Sequence, residues 1–469
     1  MKKLTVGLIV GNRGVFPSYL CETGQEQMVT ILESLGFDVV TLSGQDNGKG
    51  SIENLEDAQR CARLFAEHRE DITGIVISLP NFGDERSIAN AIRWSGLQVP
   101  VMVHAFPDEV NQMDISRRRD SFCGKISVCN ILRQYGIPFS LTRSHTVSPD
   151  SPEFKEDLLW FGAVCRVVAG LKNLRVGAIG TRPAAFTTVR YSEKILERAG
   201  ITVEPVDLSE ILGTARSLSD ADQVVQEKLH SIKQYITTTD VSQESLSRMA
   251  KLGAAIDQWV AENHLMGTAI QCWTSLEENY GVVPCTLMSM MSDHLLPSAC
   301  EVDIPGLISM YALQLAAGQA SAIIDWNNNY GEDPNKAVVF HCSNLPKSIL
   351  DKAHMDCQRI IAKDVGQDNA YGAVCGRIKS GPFTFARITT DDATGQIKGY
   401  LGEGTVTADP LDTFGGYGTV EIPGLQTLMG YICTHGFEHH AAITLSTCAR
   451  VLHEAFTRYL NWDTYYHNF

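Results

Sequence analysis

Two Rossmann-like α/β domains followed by a β-rich, barrel-like C-terminal domain form the fold class that this 469-residue sequence predicts. Three observations predict it. From Leu4 to about residue 140, short apolar runs alternate with amphipathic stretches, the signature of βαβ units and a parallel sheet. A second alternation starts afresh at Leu174-Arg-Val-Gly-Ala-Ile-Gly180. After Asp325 the runs become short, alternating and divided by Gly, Pro and Asp, which is the pattern of antiparallel sheet.

In chain order, strands are expected over 4–10, 39–42, 72–79 and 99–104, with helices over 25–35 and 54–68. Ligands of such sheets sit at the C-terminal ends of strands, where Gly11-Asn-Arg13-Gly14, Leu79-Pro-Asn81-Phe82 and Val103-His104 stand. No G-x-G-x-x-G occurs, and Gly44-Gln-Asp-Asn-Gly48-Lys49-Gly50 misses the phosphate-loop spacing by one residue and reads as a flexible loop. A helix over 154–170 leads into strand 174–180. Strands 203–206 and 267–271 and helices 220–237, 243–263 and 285–294 continue the second domain. The third carries strands 338–341, 372–378, 383–390, 396–401 and 418–422 and a helix over 424–434. The expected domains are 1–172, 173–320 and 321–469.

Composition narrows the function. The chain is 44% apolar and 20% charged, with mean hydropathy −0.06, as an ordinary globular protein is. Its net charge of −15 opposes a nucleic-acid backbone, which is bound by neutralising phosphates with Lys and Arg, so a small polar metabolite fits better. No apolar run approaches the roughly 18 residues a membrane helix needs, so no membrane partner is expected. Met1-Lys-Lys-Leu-Thr-Val-Gly-Leu-Ile-Val reads as a first strand rather than a signal peptide, which places the protein in the cytoplasm. The 13 cysteines are odd in number and the nearest two, Cys123 and Cys129, are six apart. That is neither a disulfide framework nor a zinc ribbon, and reduced, mostly buried thiols are expected.

Four groups carry the chemistry: Glu301, Asp325, His341 and the pair His439-His440. Glu301 ends a short segment that stops at Pro305-Gly306, and Asp325 ends the apolar run Ala322-Ile-Ile. A carboxylate at the mouth of a buried strand loses hydration unless something positive meets it, so two of them point to a divalent cation. Carboxylates with imidazoles and no thiolate in the pattern suit Mn²⁺, with Mg²⁺ or Co²⁺ as alternatives. Each residue also has a plainer reading. Asp325 could cap a turn at Asn327-Asn-Asn, His341 could be a core histidine bonded to backbone, and Glu438-His-His440 could be a solvated helix end.

Ala299-Cys-Glu301-Val-Asp303, Ile324-Asp325-Trp326, His341-Cys-Ser-Asn344, Cys375-Gly-Arg377 with Gly381-Pro-Phe-Thr384, and Gly436-Phe-Glu-His-His440 together resemble the L-fucose isomerase and L-arabinose isomerase superfamily, in its shorter fucose-isomerase-like branch. Five separated motifs in order make the resemblance specific. It implies that Glu301 and Asp325, 24 residues apart, are metal carboxylates and that His440 is the metal histidine. His341 falls where arabinose isomerases have a further metal histidine and fucose isomerases have none. The resemblance also implies a homo-oligomer, usually a hexamer, in which the first domain caps a neighbour's site, so that Arg13, Asn81 and Phe82 reach the neighbour's sugar. Gln271 and Trp273 would line the pocket, with Asn344 and His439 as further substrate-binding candidates.

The expected reaction is interconversion of an aldose and a ketose through a cis-enediol, with Glu301 and Asp325 moving the proton. A hydride shift, a metal-dependent aldolase and a non-catalytic sugar-binding protein of the same fold are the rivals. Deoxyhexoses, pentoses and a sulfonated hexose such as sulfoquinovose all fit this branch. An anionic sugar would need a cation, for which Arg13, Arg182, Arg377 and Lys125 are available.

Overall fold

The computed structural model describes residues 3–469, which divide into two compact units. One runs to Ala169 and includes Glu454–Asn461; the other is Gly170–His453 with Trp462–Phe469.

The first unit holds strands β1 (Thr5–Val10), β2 (Asp38–Thr41), β3 (Ile72–Leu79), β4 (Val101–Ala105) and β5 (Ser140–Leu141), all parallel, in the order β2-β1-β3-β4-β5. Apolar residues pack on both faces, as parallel strands require. Val6, Leu8 and Val10 of β1 join Met28, Leu32, Phe154 and Phe161 on one face, while Ile9 joins Ala58, Phe65 and Ile88 on the other. Strand order reverses between β1 and β3, and the loops leaving them meet there: the Asn81 amide donates to Asn12 Oδ1 at 2.7 Å. Arg13 lies over the Phe82 ring at 4.4 Å, donates to Gly83 O at 2.8 Å and pairs with Glu85. The 44–50 stretch expected to be a flexible loop opens instead with a helical turn, Gly44–Asn47, closed by a reciprocal cap between Ser43 and Asp46. In the returning segment 454–461, the Tyr459 hydroxyl donates to Val101 O at 3.1 Å.

The second unit contains two sheets. Strands β6 (Leu174–Ile179), β7 (Ile201–Val206), β8 (Thr268–Ile270) and β9 (Ser298–Cys300) are parallel in the order β7-β6-β8-β9. The other sheet comprises β10 (Ala322–Asn329), β11 (Lys336–His341), β12 (Leu350–Cys357), β13 (Tyr371–Ile378), β14 (Gly381–Asp391), β15 (Gln396–Thr407), β16 (Gly416–Glu421), β17 (His440–Thr444) and β18 (Asp463–His467). Its order is β12-β13-β16-β11-β10-β17-β14-β15-β18, mostly antiparallel, and β15 pairs a second time with β16, so the pairings from β16 round to β15 close a ring. One apolar cluster runs from Ile179 and Ile270 to Phe385 and Ile443, so residue 320 lies inside this unit.

The helix Ile304–Ala317 ties the two sheets together. It is apolar on all sides and almost wholly buried, as a helix enclosed by structure must be. It packs on β14 and β17 and also on β8 and β9. Asp303 caps its start by accepting from Gly306 N at 2.9 Å, and Gly318 ends it in the left-handed region. The Ser309 hydroxyl donates to Pro305 O and accepts from Ile388 N at 2.8 Å, which pins the helix to β14.

One close approach in the first unit is testable. A Cβ on Gly124, in helix Ser121–Gln134, would sit 1.8 Å from the backbone oxygen of Phe82. Gly124→Ala should destabilise this unit by about 2 kcal/mol, the usual cost of overpacking. Thermal unfolding should show a midpoint lower by about 4–8 °C. An unchanged midpoint would show that the loop and helix are not so close.

Candidate metal centre

Two local arrangements, one in sequence and one in register, build the site. β9 ends at Cys300, and the chain turns through Glu301 and Val302, both in the left-handed region with φ of 61° and 55°, before the cap at Asp303. Asp325 on β10 and His440 on β17 are directly opposed in antiparallel register, so their side chains share a face. The sheets thereby bring together two carboxylates and an imidazole from positions far apart in the chain.

His440 is the hub. It is buried, its Nδ1 is 2.8 Å from Asp303 Oδ2, and its Nε2 is 3.5 Å from Asp325 Oδ1 and 3.8 Å from Glu301 Oε2. With Nδ1 donating its proton to Asp303, Nε2 presents a lone pair when the ring is neutral. Glu301 Oε2 and Asp325 Oδ1 are buried with no hydrogen-bond partner among the described residues. His439 Nε2 lies 3.7 Å from Asp325 Oδ1. One ligand atom each from Glu301, His439 and His440 falls within 4.8 Å of the others, a group that could hold a metal ion.

The electrostatics agree. Burial pushes Glu301 up to about 7, against the favourable pull of His440, and pushes Asp325 up to about 6. Burial and the neighbouring imidazole push His439 down to about 4, and burial with both neighbouring imidazoles pushes His341 down to about 3. Asp303 behaves oppositely: burial alone would raise it, but the Arg387 guanidinium and the His440 hydrogen bond hold it below the usual carboxylate range. Burial opposes charge on His440 too, yet its bond to Asp303 and the nearby carboxylates raise it above the ordinary histidine value. Unpaired carboxylate oxygens converging on an imidazole lone pair are what a divalent cation would satisfy.

Asp303 is itself held by Arg387 through two hydrogen bonds, of 2.5 and 2.9 Å. The Arg387 Nε donates to Glu438 at 3.0 Å, and the Thr389 hydroxyl bonds the other oxygen of Glu438. Asp303 and Glu438 stand within sequence motifs that give them no role of their own, and Arg387, 84 residues from Asp303 inside a strand, stands out in no motif. Two apolar neighbours on a plain β-strand pattern gave no local sign of a buried arginine; only a charged residue at an inward-facing position could have been flagged.

The remaining expected residues are placed as follows. His341 is buried beside His440, with ring centroids 5.8 Å apart and its Nδ1 without a partner among the described residues. The Asn344 amide donates to Ser298 O at 3.0 Å, leaving its buried Oδ1 unpartnered. Gln271 accepts from Thr181 N at 3.0 Å, and Trp273 meets Phe186, which in turn stacks on His439. Phe186, not singled out from the sequence, thus borders the site. Asp325 lies within β10, which runs on to Asn329, rather than capping a turn, and His440 opens β17 rather than ending a helix. Arg13 belongs to the first unit and Lys125 is buried there, its amine bonded to Thr142 and to His145 O. Nine of the 13 cysteines are buried, and no disulfide occurs among the described residues. No helix of the described residues is long and apolar enough to cross a membrane.

Fold and site together define an α/β protein in which the β-rich sheet and the turn after β9 bring together carboxylates and imidazoles that could hold a metal ion. Residues 7–172 match the fucose/sulfoquinovose isomerase N-terminal domain, and residues 339–467 match the L-fucose isomerase C-terminal domain. The chain belongs to the fucose/sulfoquinovose isomerase family. It is 26% identical over 226 residues to a sulfoquinovose isomerase of Priestia aryabhattai, a match covering 48% of this chain and 50% of that protein. It is 25% identical over 390 residues to a sulfoquinovose isomerase of Alkalicoccus urumqiensis, covering 81% and 83% respectively. The match thus spans about half the length of the first relative and most of the second.

Two outcomes check the centre. Asp303→Asn should weaken Mn²⁺ binding by about 10–100-fold, because it loosens the histidine that the metal would use. Calorimetric titration of the folded variant reads this, and an unchanged affinity would contradict the hub. In the wild type, affinity should fall as pH drops below about 7, since a proton then competes for Glu301, whose value burial raises from 4.5 to about 7. Glu301→Gln should remove the part of that dependence centred near 7 and leave the part that Asp325, near 6, contributes.

Proposed function

We propose that this protein is a metal-dependent aldose–ketose isomerase acting on an open-chain hexose through a cis-enediol. The observation that carries the reading is the pair of buried, unpartnered carboxylate oxygens of Glu301 and Asp325 facing Nε2 of His440. Glu301, Asp325 and His440 would hold Mn²⁺, with Mg²⁺ or Co²⁺ as alternatives; His439 is a further donor, and His341 lies beside His440, with ring centroids 5.8 Å apart. When bound, such an ion supplies Lewis-acid polarisation of a carbonyl and fixes two adjacent sugar oxygens.

The chain's own groups do the proton work. Burial raises Asp325 and Glu301 towards neutrality and a cation held beside them would lower them, and a carboxyl balanced between the two can both take and return a proton. One removes the proton from C2 of the aldose as O1 takes up a proton to give the enediol, and the other returns a proton at C1 as O2 gives up its proton to become the ketose carbonyl. Asp303 orients His440 and is a positioning residue. Asn344 Oδ1 can accept from a sugar hydroxyl, and Gln271, Trp273 and Phe186 wall the approach and exclude water.

The family and its relatives' names favour a hexose bearing a sulfonate at C6, sulfoquinovose, over a neutral deoxyhexose or pentose. We further read a Rossmann-like domain, 173–320, bringing Glu301 and a barrel-like domain, 321–469, bringing Asp325 and His440, of which only segment 454–461 lies in the first unit. The subunit would assemble as a homo-oligomer, a hexamer, placing Arg13 of the 1–172 domain over a neighbour's sugar. Exposed Val15, Val110 and Ile115 on that domain fit such assembly. Buried free thiols suit a reducing compartment, and we place the protein in the cytoplasm.

The test is isomerisation by Mn²⁺-loaded protein in D₂O. The enediol route predicts deuterium on the product carbon, and a product without label would mean a hydride shift. Glu301→Gln should lower kcat by about 10²–10⁴-fold, the usual worth of a positioned acid or base. Near-wild-type turnover by that variant would remove Glu301 from the proton path.

A further inference from the structure

Resting on the isomerase reading, we infer that Arg182 is the residue that selects an anionic group on the outer end of the sugar. Of the four cations that the sequence offers for such a role, the structure commits three elsewhere. Arg13 is paired with Glu85 and bonded to Gly83 O. Lys125 is buried, and its amine is taken by Thr142 and the His145 carbonyl. One Nη of Arg377 donates to the carbonyls of Thr407 and Asp409 and to the Thr419 hydroxyl.

Arg182 differs in its place and in its bonds. It is half-buried, on the loop that leaves β6, and its only hydrogen bonds are to two carbonyls of its own loop, Pro183 at 3.1 Å and Ala184 at 3.4 Å. Like Lys125 and Arg377, and unlike Arg13, it has no carboxylate partner within 4.0 Å among the described residues. It also lines a cavity of about 720 Å³ together with Phe186, Gln271 and Trp273. That cavity shares a wall with the metal centre, since Phe186 touches Trp273 at 5.9 Å between centroids and stacks on His439 at 6.3 Å.

The physical consequence is directional. A guanidinium presents a planar fork of donors that matches a tetrahedral oxyanion, and partial burial strengthens that contact relative to water. A sugar whose C1 and C2 oxygens are held beside His440 would extend its far end past Phe186 into this cavity. A sulfonate there meets the one cation of the four that lines this cavity, and displaces only two carbonyls of that residue's own loop. A neutral C6 substituent would leave Arg182 bonded to its own loop, so the residue discriminates by charge rather than by general binding. Glu278 lines the same cavity and would repel an anion that entered without reaching Arg182.

The experiment compares kcat/KM of Mn²⁺-loaded wild type, Arg182→Met and Arg182→Lys on sulfoquinovose and on its neutral counterpart 6-deoxyglucose. Binding of the non-isomerisable alditol of sulfoquinovose is titrated alongside. The ratio of sulfonated to neutral kcat/KM should fall about 10–100-fold in Arg182→Met, the worth of a charge-assisted hydrogen-bond pair. Arg182→Lys should recover part of it, and in the wild type KM for the sulfonated sugar should rise with salt. An unmoved ratio, or equal loss on both sugars, would overturn the assignment. Wild type that binds the sulfonated alditol through Arg182 without turning over any aldose would sink the isomerase reading and leave the anion site standing. Wild type that does not bind the alditol would overturn the anion site itself.

Discussion

The carboxylate of Asp303 is the constraint on which the rest of the second unit depends. It is fully buried, yet it accepts from both arms of Arg387, from Gly306 N and from His440 Nδ1. One group therefore caps the central helix, neutralises the arginine of β14 and fixes the histidine of β17. A buried ionic group of this kind is not retained for stability, because desolvation consumes most of its attraction. Removing one partner from such a network costs about 3–5 kcal/mol, since the other charge is left buried and alone. The arrangement thus fixes position: it holds a helix, two strands and an imidazole in one geometry.

That geometry explains why the reactive carboxylates can be left unpaired. Glu301 sits in a two-residue left-handed turn, where non-glycine backbone costs roughly 1–2 kcal/mol per residue. The turn persists because β9 on one side and the Asp303 cap on the other determine it. The strain and the lost hydration of Glu301 and Asp325 are both offset within the frame, and a bound cation would relieve the second. Gly306 shows how tight the frame is. A Cβ there would come within 2.3 Å of Asp303 Oδ2 and 2.9 Å of Arg387 Nη1.

Much of this was legible in the sequence. Periodicity alone locates β3 at 72–79 and the helices near 54–68 and 243–263, because long runs with a buried face leave a strong pattern. Glu301, Asp325 and His440 also stand out as charged or titratable residues at the mouths of apolar runs. Three things were not legible. β12 reads Leu-Asp-Lys-Ala-His-Met-Asp-Cys, too polar to announce a strand, and is held as one by its pairing with β13. The Asp303–Arg387–Glu438 network joins residues 51 and 84 positions apart, so only the folded register of β14 and β17 reveals it. The separation of Arg182 from Arg13, Lys125 and Arg377 rests on which neighbour each one meets, and a sequence lists charges without their partners.

The central claim is that Glu301, Asp325 and His440, oriented through Asp303, form one divalent-cation centre. Anomalous diffraction from crystals of the protein soaked in Mn²⁺ tests it most directly. The account predicts a single strong peak within ligand distance of His440 Nε2 and of the free carboxylate oxygens of Glu301 and Asp325. A peak instead at the other metal-capable group, His354, Asp356 and Cys375 on β12 and β13, or none at His440 under saturating metal, would contradict it.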